Sequence, residues 1–392
     1  MRVAVCIYRF APYHIARLNG CEGLLNVVGV EYSRDTEFYE WDHQLYAQKF
    51  DRVTVYPDGD LRREKVKEQR SMIRSMLNSL DVEVVAVNGW STVQALITLE
   101  WALDSALPVI MMSESNRFDS PRNFFFERAK KMICSAADSA LVGGQSHGEY
   151  LQDLGFKKEA IFFGYNVVDN KYFELTSDFR RNCVLVEDPK PFILCSCRFI
   201  EKKNIPWMLR EYKQYLQSTP GLDLDLVILG GGSSAAEKQI RDLITELGLR
   251  GRVHLPGFIQ YQELPNYYAR ASVFVHASTS EQWGLVVNEA MASGLPIIVS
   301  RHCGAACLVQ NGVNGFVFDP TKEGALAESL LLFDQLAEEH TSMGVHSREI
   351  ISQNAPEHFG TGLYSAAKFA IDNYKKRPVS LARLLIKVLS MR

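Results

Sequence analysis

The chemistry in this sequence gathers around Glu281 and Glu289, two carboxylates with seven residues between them. Before them, Val273-Phe274-Val275-His276 is a short apolar run that reads as a buried parallel strand. After them, Ala290-Met291-Ala292-Ser293 closes on Gly294 and Pro296, a usual helix ending. The order strand, polar loop, helix, strand therefore sets the two glutamates about a helix N-terminus. Such a terminus offers unpaired N–H groups and the positive end of a dipole, which suit a phosphate. Gly284, without a β-carbon, lets a ligand come close to those amides. Glu289 follows Leu285 by four residues, about one turn or ~6 Å into the helix. An ionised carboxylate there can accept from two sugar hydroxyls, and Glu281 can do the same on the other side of the phosphates. The plain alternative is a pair of solvated carboxylates beside a dipole, each worth about a few tenths of a kcal/mol.

A second cluster lies upstream. Arg198 follows the apolar run 192–196, and Lys203-Asn204 opens a helix-like segment five residues later. Two cations at a strand exit beside a helix start make a diphosphate site; a solvated basic turn is the alternative. Gly230-Gly231-Gly232 after Leu229 permits close backbone approach, a weak sign taken alone.

The run 281–289, with Gly284-Leu285 inside it and Ala290-Met291-Ala292-Ser293-Gly294-Leu295-Pro296 after it, closely resembles the signature of retaining glycosyltransferase family 4. That resemblance implies the GT-B fold class, two Rossmann-like, doubly wound α/β domains facing across a cleft. It is dense from about residue 198 to 320 and only architectural before residue 100. It assigns Arg198 and Lys203 to the donor's phosphates, register favouring Lys203 over Lys202. It also assigns the backbone of Leu255-Pro256-Gly257-Phe258-Ile259 to the lining of the nucleotide base. The expected donor side is then Gly230, Gly232, Phe258, Ile259, Trp283, Gly284, Leu285 and Glu289. Arg198, Lys203 and Glu281 stand at the reacting centre, with Glu281 cast as a sugar-hydroxyl anchor rather than a nucleophile. No metal and no cofactor are expected, because cations and amides cover the charge growing on the leaving diphosphate.

Acceptor-side residues belong at strand exits of the N-terminal half, where open parallel sheets bind ligands. The first exit carries Tyr13, His14 and Arg17, where many relatives have a glycine pair. His14 can meet a ligand or cap a helix, and Arg17 can meet a ligand or pair at the surface. Trp90 follows Gly89 at another exit, where an aromatic can stack on a sugar face or pack inward. At a third, Ser113-Glu114-Ser115-Asn116 stands where many relatives place a histidine, and Glu114 either substitutes as an acceptor-binding group or base or is a charge behind the site. Asp119-Ser120-Pro121 reads as an N-cap and first helical turn. Helical spacing cannot bury Phe124, Phe125 and Phe126 equally, so one or two of them are expected in a core.

These groups need sheets to hold them. Apolar runs at 3–8, 27–30, 53–55, 84–87, 109–112, 140–142 and 161–163 alternate with helix-length segments, the pattern of βαβ units. Runs at 192–196, 224–229, 253–255, 273–276, 297–300 and 315–318 repeat it. The chain then divides into an N-terminal domain, 1–170, a linker, 171–190, and a nucleotide-sugar-binding domain, 191–355. The resemblance implies that helices in 356–392 cross back to the N-terminal domain.

At 392 residues, 47% hydrophobic and 23% charged, the chain suits two soluble domains of ordinary size. A net charge of −3 speaks against nucleic acid as a partner. Eight cysteines, scattered rather than paired as C-x-x-C, speak against zinc ribbons and disulfide frameworks. No apolar run approaches the ~20 residues of a membrane span, and the start shows no signal-peptide core, so a cytoplasmic protein is expected. The tail carries Lys375, Lys376, Arg377, Arg383, Lys387 and Arg392 and no acid. Its apolar face, Leu381, Leu384, Leu385, Val388 and Leu389, either docks on the N-terminal domain or rests on the inner face of an anionic membrane. The activity expected is retaining transfer of a hexose from a nucleotide-diphosphate sugar to the hydroxyl of a small-molecule, sugar or lipid-linked acceptor, as in polysaccharide or glycolipid assembly. The alternatives are a sugar-nucleotide epimerase, a phosphorylase, or a nucleotide-binding regulator that has lost catalysis.

Overall fold

The computed structural model describes residues 1–34, 47–119, 122–183, 190–218, 223–375 and 381–391. The chain gathers into two compact units, Met1–Val168 with Asn354–Arg392, and Asp169–Gln353.

The first unit is built on a 7-stranded parallel sheet of order β3-β2-β1-β4-β5-β6-β7. Its strands are β1 (Arg2–Ile7), β2 (Asn26–Ser33), β3 (Asp51–Tyr56), β4 (Val84–Asn88), β5 (Val109–Ser113), β6 (Ser139–Val142) and β7 (Ile161–Phe163). The inner strands are apolar on both faces because helices cover both sides of a parallel sheet. β1, β4 and β5 are buried almost throughout, whereas the edge strand β3 is only half-buried. The crossings are α1 (Pro12–Asn19), α2 (Val66–Asn78), α3 (Val93–Asp104), α4 (Phe124–Cys134) and α5 (Gln145–Asp153).

α4 starts later than the sequence suggested. Asn123, not Asp119, is its N-cap, its side chain accepting from the Phe125 and Phe126 amides at 2.9 and 3.4 Å. Ser120 and Pro121 lie outside the described residues. Because Phe124, Phe125 and Phe126 form the first turn, ahead of the point where Ile133 and Cys134 reach the core, all three are exposed.

The second unit repeats the plan with a 6-stranded parallel sheet of order β10-β9-β8-β11-β12-β13. Its strands are β8 (Phe192–Ser196), β9 (Asp225–Leu229), β10 (Val253–Gly257), β11 (Ala271–His276), β12 (Ile297–Ser300) and β13 (Gly315–Phe318). Its helices are α6 (Asn170–Cys183), α7 (Ile205–Ser218), α8 (Ser234–Glu246), α9 (Leu264–Arg270), α10 (Leu285–Ala292), α11 (Ala325–Gln335) and α12 (His340–Ser352). α6 occupies most of the stretch read as a linker. It packs on α9 and α10, burying Phe173 against Tyr261 and Tyr268, so this segment is part of the second unit rather than a tether. Asp188 and Pro189 lie outside the described residues.

Strand order reverses between β1 and β4 in the first sheet and between β8 and β11 in the second. At such a switch point, the loops leaving adjacent strands run to opposite sides and open a crevice at the carboxyl edge.

The C-terminal stretch returns to the first unit as α13 (Pro356–Asp372) and α14 (Leu381–Leu389). α13 can lie on α1 and β7 only because small residues face them. A β-carbon on Gly360 would sit 2.1 Å from the Gly20 carbonyl oxygen, and one on Gly362 would sit 2.0 Å from that of Phe163. The Ser139 hydroxyl donates to the Ala366 carbonyl at 2.8 Å. α14 packs on α3 and α4, with Ala382 and Ile386 buried and Leu385 and Leu389 against the core. Leu381, Leu384 and Val388 are exposed, so the tail's apolar residues divide into an inner and an outer stripe rather than one face. Lys376, Arg377 and Arg392 lie outside the described residues. No helix among the described residues is long and apolar enough to cross a membrane.

A methyl group at Gly360 has backbone in its way and no flexible side chain to displace. Gly360→Ala should therefore cost about 1–3 kcal/mol, read as a lower Tm, and an unchanged Tm would show that the α1–α13 contact is looser than described.

Candidate functional site

In the second unit, two turns meet at the switch point. β8 leaves through Cys197 and Arg198 into a short turn, Glu201–Lys203, and Asn204 in the left-handed region (φ 58°) redirects the chain into α7. β11 leaves through His276 into the loop before α10, and the Thr279 amide donates to the Lys202 carbonyl at 2.9 Å. That bond locks the two exits together.

Across this junction Lys203 donates to Glu281 in a largely buried ion pair. Lys202 stands farther off, its Nζ 3.8 Å from Glu281 Oε1. His276 Nε2 lies 3.7 Å from Glu281 Oε2, too far for a hydrogen bond. Burial would raise the Glu281 carboxyl, but the Lys203 ammonium outweighs it and holds it well below the ordinary carboxylate range. Burial lowers the His276 pKa, so its ring is neutral beside the pair. His276 was part of the apolar run in the sequence and received no role there; a histidine at the last position of a buried strand was the available signal.

Glu281 is held by backbone as well. Its amide donates to the His302 carbonyl and its carbonyl accepts from Gly304, both at 3.0 Å. Gly284 follows in the left-handed region (φ 97°) as the N-cap of α10, where an added β-carbon would lie 2.8 Å from Cys303 Sγ. Leu285 and Val286 open the helix partly exposed, and the first amides of a helix lack intrahelical partners. Trp283 turns the other way. It is buried, its indole N–H bonded to Asn288 Oδ1 at 2.9 Å, so its side chain packs beneath the loop. Cys303 is buried and its thiol is pushed up to about 12, as a packing cysteine's would be.

Glu289 lies one turn into α10, as its spacing required, but its surroundings differ from the expected hydroxyl-binding anion. It is buried, and Oε2 accepts from the Tyr268 hydroxyl at 2.8 Å. Burial raises its pKa to about 7, opposed only in part by Tyr268. Tyr268 sits on α9, 21 residues away, and no sequence spacing announces it.

Arg198 is exposed at the β8 exit. The glycine run lies beside it for a packing reason. A β-carbon on Gly230 (φ 121°) would be 1.9 Å from the Cys197 carbonyl oxygen, and one on Gly232 would be 2.7 Å from that of Phe199. The Gly230 amide donates to Gly257 at 2.9 Å, which brings Phe258 (exposed) and Ile259 (half-buried) to the same edge of the sheet.

In the first unit, His14 Nδ1 accepts from the Ala11 amide at 3.0 Å, closing the start of α1. Its ring is buried, which with Arg17 nearby depresses its pKa well below the usual value. Arg17 is buried too, not a surface cation. Its guanidinium lies 4.8 Å from the Tyr13 ring centre and 4.7 Å from that of Tyr165, and Nε donates to the Val167 carbonyl at 3.2 Å. Tyr165 in turn donates to Asn88 Oδ1 at 3.0 Å, tying α1 to the β4 exit. Trp90 packs partly against the core, and Glu114 is half-buried at the β5 exit. Glu31, which the sequence reading passed over, is buried on β2. It accepts from the Phe10 amide and from Arg52, both at 2.7 Å, and so fixes the β1 exit loop.

Two Rossmann-like α/β units of this kind define the GT-B fold class. Residues 177–358 match the family model described as Glycosyl transferases group 1. An uncharacterized glycosyltransferase of Methanocaldococcus jannaschii is 31% identical over 174 residues, 44% of this chain and 43% of that protein. The sucrose synthase of Denitrovibrio acetiphilus is 30% identical over 46% of this chain and 25% of its own length. The matched stretch thus spans less than half of either relative. Among solved structures, HepE from Anabaena in complex with UDP and glucose superposes with a TM-score of 0.69 at 16% identity, covering 92% of this chain and 97% of that one. Sucrose-phosphate synthase from Thermosynechococcus elongatus gives 0.68 at 19%, with the same coverage of each chain. These likenesses are of fold.

The raised pKa of Glu289 has a thermodynamic sign. Folding favours its protonated form, so the stabilisation is full below the reference value of 4.5 and is lost as pH rises through about 7. Above that, the buried carboxylate costs at most ~3 kcal/mol. Glu289→Gln stays neutral and can still accept from Tyr268. Its Tm should match the parent's at about pH 5 and exceed it by several degrees at about pH 8.5; parallel curves would refute the assignment.

Proposed function

We propose that this protein is a retaining glycosyltransferase that moves a sugar from a nucleotide-diphosphate sugar to an acceptor hydroxyl without a metal. The observation that carries the reading is the Lys203–Glu281 pair at the switch point of the second unit, set against the start of α10. The group 1 family-model match over this same unit supports it.

In this scheme the hard step is departure of the nucleotide diphosphate from the anomeric carbon. Arg198, Lys203 and the amides at the start of α10 stabilise the negative charge that grows on the leaving oxygens. Lys203 changes partner as the donor binds, exchanging part of its bond to Glu281 for phosphate oxygens. Glu281 then accepts from hydroxyls of the transferred sugar. Glu289 accepts from the ribose, which favours its ionised form and so ties donor affinity to pH. Acceptor attack on the face the diphosphate leaves retains configuration. The first unit supplies acceptor contacts, with Trp90 and Glu114 placed at its strand exits and Tyr13 beside them; His14 and Arg17 hold that edge in shape. HepE's complex with UDP and glucose makes a uridine diphosphate hexose the first donor to test.

Arg198→Ala is the cleaner test of the phosphate assignment, because Lys203→Ala also strands a buried carboxylate. It should lower kcat/KM for transfer or donor hydrolysis by about 30- to 1,000-fold, the equivalent of ~2–4 kcal/mol, with the fold intact. Turnover at the parent rate would remove Arg198 from the site. Calorimetry separates the two glutamates. Glu289→Ala should weaken both free nucleotide and nucleotide sugar, and Glu281→Ala chiefly the nucleotide sugar. Equal losses of free-nucleotide affinity would refute that division, and donor binding without transfer or hydrolysis would favour a regulatory protein.

A further inference from the structure

The first unit exposes apolar side chains that no part of the proposed reaction uses. Phe118, in the loop before α4, and Phe124, Phe125 and Phe126, in its first turn, are 69–82% exposed. α14 lies against α4, and its outer stripe of Leu381, Leu384 and Val388, with Met391 beyond, is 42–74% exposed. Two neighbouring helices therefore turn large apolar side chains to solvent while each is anchored from behind. α4 is held through Ile133 and Cys134. α14 is held through Ala382 and Ile386 and through Ser390, which donates to Glu100 at 2.9 Å and accepts from Arg70 at 2.5 Å. Apolar surface gathered in this way on a stably packed support marks an interaction site.

The two helices carry mostly positive charge, with Arg383 of α14 paired to Asp104. α4 carries Arg128, Lys130 and Lys131 against a single acid, Glu127. Glu127 is already matched by Lys130 at 2.8 Å and Arg122 at 3.3 Å. α14 carries Arg383 and Lys387 and no acid, and Arg128, Lys131 and Lys387 are exposed. A second copy of this chain, meeting the face across a two-fold axis, would bring these cations onto their own equivalents. An anionic lipid surface instead offers phosphates to the cations and acyl chains to the phenylalanines.

We propose that this face, Phe118 and the outer surfaces of α4 and α14, docks the first unit on an anionic membrane. The aromatic turn enters the headgroup layer and the basic residues lie against lipid phosphates. Each helix alone is a weak anchor, and the pair acts as two linked signals. The inference stands on the first unit's surface and is independent of the donor chemistry.

The test is co-sedimentation of the full-length protein with vesicles of phosphatidylcholine alone and of phosphatidylcholine mixed with phosphatidylglycerol. Binding should require the anionic lipid and weaken with salt. Phe124→Ser/Phe125→Ser/Phe126→Ser should reduce the partition coefficient at least about tenfold, and Arg128→Glu/Lys131→Glu should do likewise, both with unchanged Tm because every position is exposed. Equal binding to neutral vesicles, or anionic binding that both variants retain, would overturn the proposal. So would a concentration-dependent dimer abolished by the phenylalanine substitutions in a protein that ignores vesicles, which would make the face a contact between copies.

Discussion

The second unit depends on one buried ion pair. Lys203 comes from the exit of β8 and Glu281 from the exit of β11, strands that are neighbours in the sheet but 78 residues apart between the paired groups. Taking two charges out of water is costly, and such a pair persists when other bonds fix its members. Here the Thr279–Lys202 backbone bond and the contacts of Glu281 with His302 and Gly304 supply that frame. The same frame sets the start of α10. The glycine at 284, the buried Trp283 and the packed Cys303 all keep the loop in the shape the pair requires.

Glu289 answers to a different constraint. Its place in α10 buries it against Tyr268, and the absence of a nearby cation among its described contacts leaves burial dominant. The loop before α10 and the helix itself thus carry two carboxylates of opposite character, Glu281 held ionised and Glu289 raised toward neutrality. That contrast arises from surroundings rather than residue type.

The thirteen strands among the described residues were legible in the sequence, most of them because a strand buried on both faces is a continuous apolar run and needs no knowledge of its neighbours. The same holds for the helix after Gly284, whose start and stop are local. What could not be read depended on distant partners. The segment read as a linker is mostly α6, whose amphipathic face is recognisable only against α9 and α10. Arg17, which the sequence left as a ligand contact or a surface pair, is buried under Tyr165 and Val167. Asn123, not Asp119, capped α4, and the three phenylalanines stayed outside. In the site, Lys203, Glu281 and Gly284 were found from type and spacing. His276 and Tyr268 were not, since their importance comes from what the fold sets beside them. The glycines at 230 and 232 were read for ligand approach, whereas the structure requires them for the close passage of residues 197–199.

The first unit is discontinuous, closed by α13 and α14 after the whole of the second unit has intervened. During synthesis the second unit, an unbroken stretch, is complete before the first has its last helices. Until α13 arrives, the sheet surface near β6 and β7 lacks its cover, and Gly20 and Phe163 wait for a partner nearly two hundred residues downstream of the latter. Contacts of that sequence separation are slow to form and leave apolar surface open meanwhile. The sheet of the first unit is therefore made before the second unit yet matures after it, and the quality of its closure rests on a helix made only once the second unit is complete.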